Sequence, residues 1–143
     1  MMFGGQRDQM RQVFFDAWRK QQAGESLQPL EEMVAGVVRQ HPEYHTLLSN
    51  PESAKEQEFT PEGGQTNPFL HMGMHIGLLE QISTDRPQGI AELYRRLCQR
   101  LGDTHEAEHQ LMECLGRMLW EAQSANRMPD EQAYLDCIRR LVG

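Results

Sequence analysis

The chain has 143 residues, 38% of them hydrophobic, which suffices for one domain with its own core and no metal or disulfide staple. Its formal net charge of −7 excludes nucleic acid and an anionic membrane surface as partners, because both demand a basic footprint, and leaves a protein partner, a small-molecule substrate or a homo-oligomer open. No apolar run reaches the roughly 18 residues of a membrane span or forms a signal-peptide core, and Cys98, Cys114 and Cys137 show no CxxC spacing, so a cytoplasmic protein is expected.

Proline and glycine punctuate a series of helical patterns. Asp8 to Gln22 places Met10, Val13, Phe14, Ala17 and Trp18 at helical spacing, with Gly24 as the stop. Pro29 opens a second helix that turns Leu30, Met33, Val34, Val37 and Val38 inward and halts before Pro42. A short helix from Pro42 has His41 at its N-cap, and a long loop is expected at about 50–66, where prolines, glycines and charges cluster. Asn67-Pro68 caps and opens a nearly all-apolar helix over about 68–82. Pro87 opens the next, ending at Leu101 with Gly102 as its left-handed stop. Asp103-Thr-His-Glu106 has the form of a capping box and launches a helix to about Ser124. Met128-Pro129-Asp130 starts the last, with Tyr134, Leu135, Ile138 and Leu141 as its buried stripe. With no repeat and no strand alternation, the expectation is an all-α, single-domain bundle of about five to six helices over residues 1–143.

All six histidines fall into three pairs of one spacing: His41/His45, His71/His75 and His105/His109. Residues four apart on a helix share a face, so two imidazoles can converge on one ion. The expected site has the helices at about 68–82 and 104–124 pointing His71, His75, His105 and His109 at one another, with His41 and His45 closing one side. Glu108 would be a further metal ligand and Glu106 the catalytic base. Imidazole with carboxylate suits a divalent transition metal such as Zn, Fe or Mn, and an ion with an open position supports hydrolysis or redox chemistry. The competing reading is a noncatalytic helical interaction module whose histidines are structural.

His105-Glu-Ala-Glu-His109 matches the HExxH pattern of zinc metalloproteases, yet it sits in the first turn of its helix and the chain offers no strand to align a substrate. Glu106 with His109 makes an E-x-x-H pair of the di-iron carboxylate type, but only one copy is present where those bundles use two. Hemerythrin-like centres share the ligand type and not the spacing. Cys98 and Cys114 lie on apolar stripes as small buried hydrophobes, Trp18 and Trp120 anchor packing, and Met72, Met74, Met112 and Met118 fill core. Arg95/Arg96 and Arg139/Arg140 read as solvated faces.

The segments NPFLHMGMHIGLLEQISTDRP and GDTHEAEHQLMECLGRMLWEAQ, with HPEYH upstream, resemble a family of small proteobacterial proteins grouped as domain of unknown function 1841. The likeness runs over essentially the whole chain. It implies a helical cytoplasmic protein and names no reaction.

Overall fold

Several helices begin at prolines or capping side chains, and Gly24 and Gly102 each stop one in the left-handed conformation. The computed structural model describes the backbone of residues 2–56 and 67–143, and among these it has eight α-helices, one short 3₁₀ turn and no strand. They are α1 (Met2–Ala23), α2 (Pro29–Arg39), the 3₁₀ turn Pro42–Tyr44, α3 (His45–Leu48), α4 (Pro51–Glu56), α5 (Pro68–Thr84), α6 (Ile90–Leu101), α7 (Thr104–Ser124) and α8 (Glu131–Val142). The all-α class stands, while the helix count exceeds the expected five to six. The excess arises mainly because prolines at 42 and 51 break the connecting segment into separate short turns. Residues 51–56, read from the sequence as the start of a loop, are therefore helical, and the rest of that expected loop, 57–66, lies outside the described residues.

Two compact units divide the chain, residues 1–73 and 74–143, with the boundary inside α5. In the first, Phe14, Phe15, Ala17 and Trp18 of α1 and Val34, Ala35, Val37 and Val38 of α2 are buried with Leu48, Ala54 and Phe69. Phe69 meets the edges of both Phe14 and Phe15 at centroid distances of 5.8 Å. The guanidinium of buried Arg11 lies 4.6 Å over the Phe69 ring and donates to the Ala54 carbonyl at 3.0 Å. Met10 and Leu30, expected inside, are 66% and 53% exposed, because each lies at the flank of its helix's apolar stripe.

The second unit packs Leu78 of α5, Ile90 and Leu97 of α6, Ala107, Leu111, Met112 and Leu115 of α7, and Tyr134, Leu135 and Ile138 of α8. The Tyr134 hydroxyl donates to the Gln81 side chain at 2.7 Å, which satisfies a phenol that is otherwise buried. Asp103 caps α7 by accepting from the amides of His105 and Glu106, and Asp130 caps α8 through Ala133. Expected at Pro87, α6 instead begins at Ile90. The Asp85 carboxylate draws in the amides of Gly89 and Ala91, and Gly89 turns at φ 101° before the helix starts. Gly102 ends it at φ 69°, as expected.

Two expectations for this unit need correction. Trp120 is 68% exposed, since it continues the outer face of α7 marked by Glu113 and Arg117 rather than the stripe of Leu111 and Leu115. Cys114 is no free buried thiol: a disulfide joins it to Cys137 across α7 and α8, leaving Cys98 free. The cysteine pattern therefore no longer argues for a reducing compartment. Among the described residues no helix is long and apolar enough to cross a membrane.

Replacing fully buried Leu111 by Ala should cost about 2–5 kcal/mol in urea denaturation, whereas Trp120→Ala should stay within about 0.5 kcal/mol of the parent. Equal losses would contradict the burial pattern.

Candidate histidine sites

Within the first unit, His41 follows α2 and is almost fully buried, because the chain must turn ahead of Pro42 and tucks the imidazole inward. Its Nδ1 lies 3.1 Å from Glu43 Oε2, its ring stacks on Tyr44 at 5.3 Å, and the edge of the His71 ring meets it at 4.8 Å. Burial pushes the Glu43 carboxyl up, but hydrogen bonds from its own backbone and from His41 outweigh this and hold it below the usual carboxylate value. Burial raises Tyr44, and the Glu43 charge adds to it. His45, four residues from His41, does something different. Its Nε2 donates to the Val38 carbonyl at 2.9 Å and its ring lies 4.2 Å from that of Trp18, an arrangement that ties α3 to α1 and α2.

The second unit holds the other cluster. His75 of α5 is fully buried, with Nε2 2.5 Å from Glu108 Oε1. The other Glu108 oxygen accepts from the Tyr94 hydroxyl of α6 at 2.7 Å. Each carboxylate oxygen thus takes a donor from a different helix. Burial alone would raise the Glu108 carboxyl, yet the hydrogen bonds from His75 and Tyr94 outweigh it and hold it below the ordinary value of 4.5. Tyr94 is pushed far up by burial first and by Glu108 second. His109 stands beside His75 at a centroid distance of 5.4 Å and beside His105 at 4.2 Å, with its Nδ1 2.8 Å from the His105 carbonyl.

The sequence pairs therefore separate by role. The rings of His75, His105 and His109 stand in contact in the second unit, and His71 meets His41 in the first. His45 is committed to packing. Glu106, expected as catalytic base, points away from the cluster: it is exposed and accepts from Gln110 at 3.1 Å. Helical spacing explains the difference, since Glu106 leads to Gln110 and Glu113 on the outer face, whereas Glu108 leads to Met112 and Leu115 on the buried one. Tyr94 was missed, although Ile90 and Leu97 on its helix mark the same inward face, and a phenol there demands a partner.

The chain matches the profile of the domain of unknown function DUF1841 over residues 6–140. No curated protein and no solved structure matches it.

The buried carboxylate sets a pH dependence. Because Glu108 titrates below 4.5 in the folded state, its hydrogen bonds stabilise the fold above that value, and the contribution is lost as pH falls through the lower folded value. The parent's urea midpoint should therefore drop more steeply between about pH 5 and 3 than that of Glu108→Gln. Parallel curves would show that the carboxylate is not held as described.

Proposed function

Since the chain belongs to the family defined by the domain of unknown function DUF1841, we propose that it binds a divalent transition metal, Zn, Fe or Mn, through imidazole nitrogens. The candidate ligands are His41 and His71 in the first unit and His75 and His109 in the second, with His105 beside them. The observation that carries this reading is the Tyr94–Glu108–His75 chain. A carboxylate that accepts a hydrogen bond from the Nε2–H of an imidazole fixes the ring and raises the basicity of its other nitrogen, the usual support behind a metal-bound histidine. Glu108 on this view positions His75 rather than ligating, because both of its oxygens already accept hydrogen bonds.

The donors fit the group. Imidazoles backed by a carboxylate match borderline divalent ions better than calcium or magnesium, which take oxygen ligands. When bound, such an ion supplies Lewis acidity toward water or, if redox-active, electron transfer. The chain's own contribution is to hold His75 in one orientation, to bury it fully, and to keep Glu108 ionised next to it.

A noncatalytic interaction module is the second reading, favoured by Leu119, Trp120 and Met128, which stand 42%, 68% and 83% exposed. The two readings part on metal content. Protein purified without a histidine tag or chelator should carry stoichiometric metal by mass spectrometry, and free metal at about a thousand times its dissociation constant should stabilise it by about 4 kcal/mol. The double variant His71→Gln with His109→Gln should lose most of that metal-dependent stabilisation while melting like the parent in chelator. A parent that gains nothing from Zn, Mn or anaerobic Fe(II) would sink the metal reading and leave the interaction module.

A further inference from the structure

The Cys114–Cys137 bond lies between two cavities that the histidine clusters do not use. One, of about 440 Å³, is lined by both cysteines with Arg117, Arg140, Glu113 and Gln110. The other, of about 100 Å³, is lined by both cysteines with Arg117, Arg127, Arg140, Glu121 and Asp130 among others. In each the arginines outnumber the carboxylates, in a chain whose net charge is −7. Arg117 and Arg140 stand three residues beyond Cys114 and Cys137, so each sits on the same helical face as its cysteine. Arg117 faces Glu121 at 3.8 Å, whereas Arg140 makes no ion pair among the described residues. Cys114 is 3% exposed and Cys137 is only partly buried, so an incoming group reaches the Cys137 sulfur first.

We propose that Cys114–Cys137 is a thiol–disulfide exchange site for a low-molecular-weight anionic thiol, drawn in by Arg140 and Arg117. The incoming thiolate donates its electron pair to Cys137 Sγ and forms a mixed disulfide there. The Cys114–Cys137 bond breaks, and its electron pair departs on Cys114 as a thiolate stabilised by the adjacent guanidinium of Arg117. A second thiolate then attacks the external sulfur of the mixed disulfide. This releases the Cys137 thiolate and an external disulfide, so two thiols are oxidised, the protein disulfide is reduced by two electrons, and the two thiolates take protons from solvent. Reduction removes the covalent tie between α7 and α8.

The test uses the oxidised full-length protein under native conditions, with free thiols counted over time in reduced glutathione, which carries carboxylates, or in uncharged 2-mercaptoethanol. Each rate is divided by that thiol's rate on a small uncharged disulfide, so that intrinsic reactivity cancels. Glutathione should show the larger normalised rate. Arg140→Gln, at an exposed position, should lower it about fivefold more than it lowers the mercaptoethanol rate, because both thiols attack as thiolates and glutathione brings one further net negative charge, worth about that factor at contact range in water. Acid-quenched samples should carry glutathione on Cys137 by peptide mass spectrometry. A normalised glutathione rate no higher than that of mercaptoethanol, an equal effect of Arg140→Gln on both thiols, or glutathione found on Cys98 in place of Cys137 would each overturn the proposal.

Discussion

A carboxylate held out of water governs the second unit. Glu108 is 6% exposed, and an ionised carboxylate at such a position costs several kcal/mol unless charge-assisted hydrogen bonds offset the lost hydration. Two do so: His75 brings one donor from α5 and Tyr94 another from α6, so a single side chain of α7 fixes the register of three helices. The dependence is mutual. Without Glu108, a fully buried imidazole and a half-buried phenol would each lose their acceptor, and leaving such groups unsatisfied is more costly than never having placed them there. That stake is what makes the orientation of the His75 ring well defined, and a defined ring is the precondition for any chemistry at its second nitrogen.

The first unit uses the same residue type in two ways. His45 makes a backbone hydrogen bond and an aromatic contact with Trp18, which is what a core histidine does to fill space without stranding a polar atom. His41 and His71 instead meet one another edge to face, next to Tyr44 and with Glu43 on the His41 Nδ1. A carboxylate-backed imidazole thus occurs once in each unit, around His41 and around His75. The difference lies in burial of the acid: Glu43 is exposed and Glu108 is not, so the screening water that weakens the first pair is absent from the second.

Much of the helical framework was legible in the chain because its signals are local. Pro29, Asn67-Pro68, Asp103 and Asp130 start helices, and Gly24 and Gly102 end them, through backbone and capping geometry that needs no tertiary contact. The late start of α6 was not legible, since it rests on the Asp85 carboxylate reaching amides four and six residues ahead. The histidine spacing did not say which imidazoles would meet, because an i,i+4 pair says only that two side chains share a face. His41 and His45 show the limit: the chain turns between them, and they acquire unrelated surroundings. Glu108 could have been separated from Glu106 by helical phase, and Tyr94 by its inward stripe. Pairing of Cys114 with Cys137 was out of reach, as three cysteines allow three pairings and spacing does not choose among them.

The central claim is that Glu108 holds the proton on His75 Nε2 and so fixes the ring, and nitrogen-detected NMR of the metal-free protein tests it most directly. At neutral pH, a slowly exchanging proton shifted far downfield should be found on His75 Nε2, and it should lose that shift and that protection in Glu108→Gln. A His75 Nε2 that carries no proton, or one whose signal is unchanged by Glu108→Gln, would contradict the account.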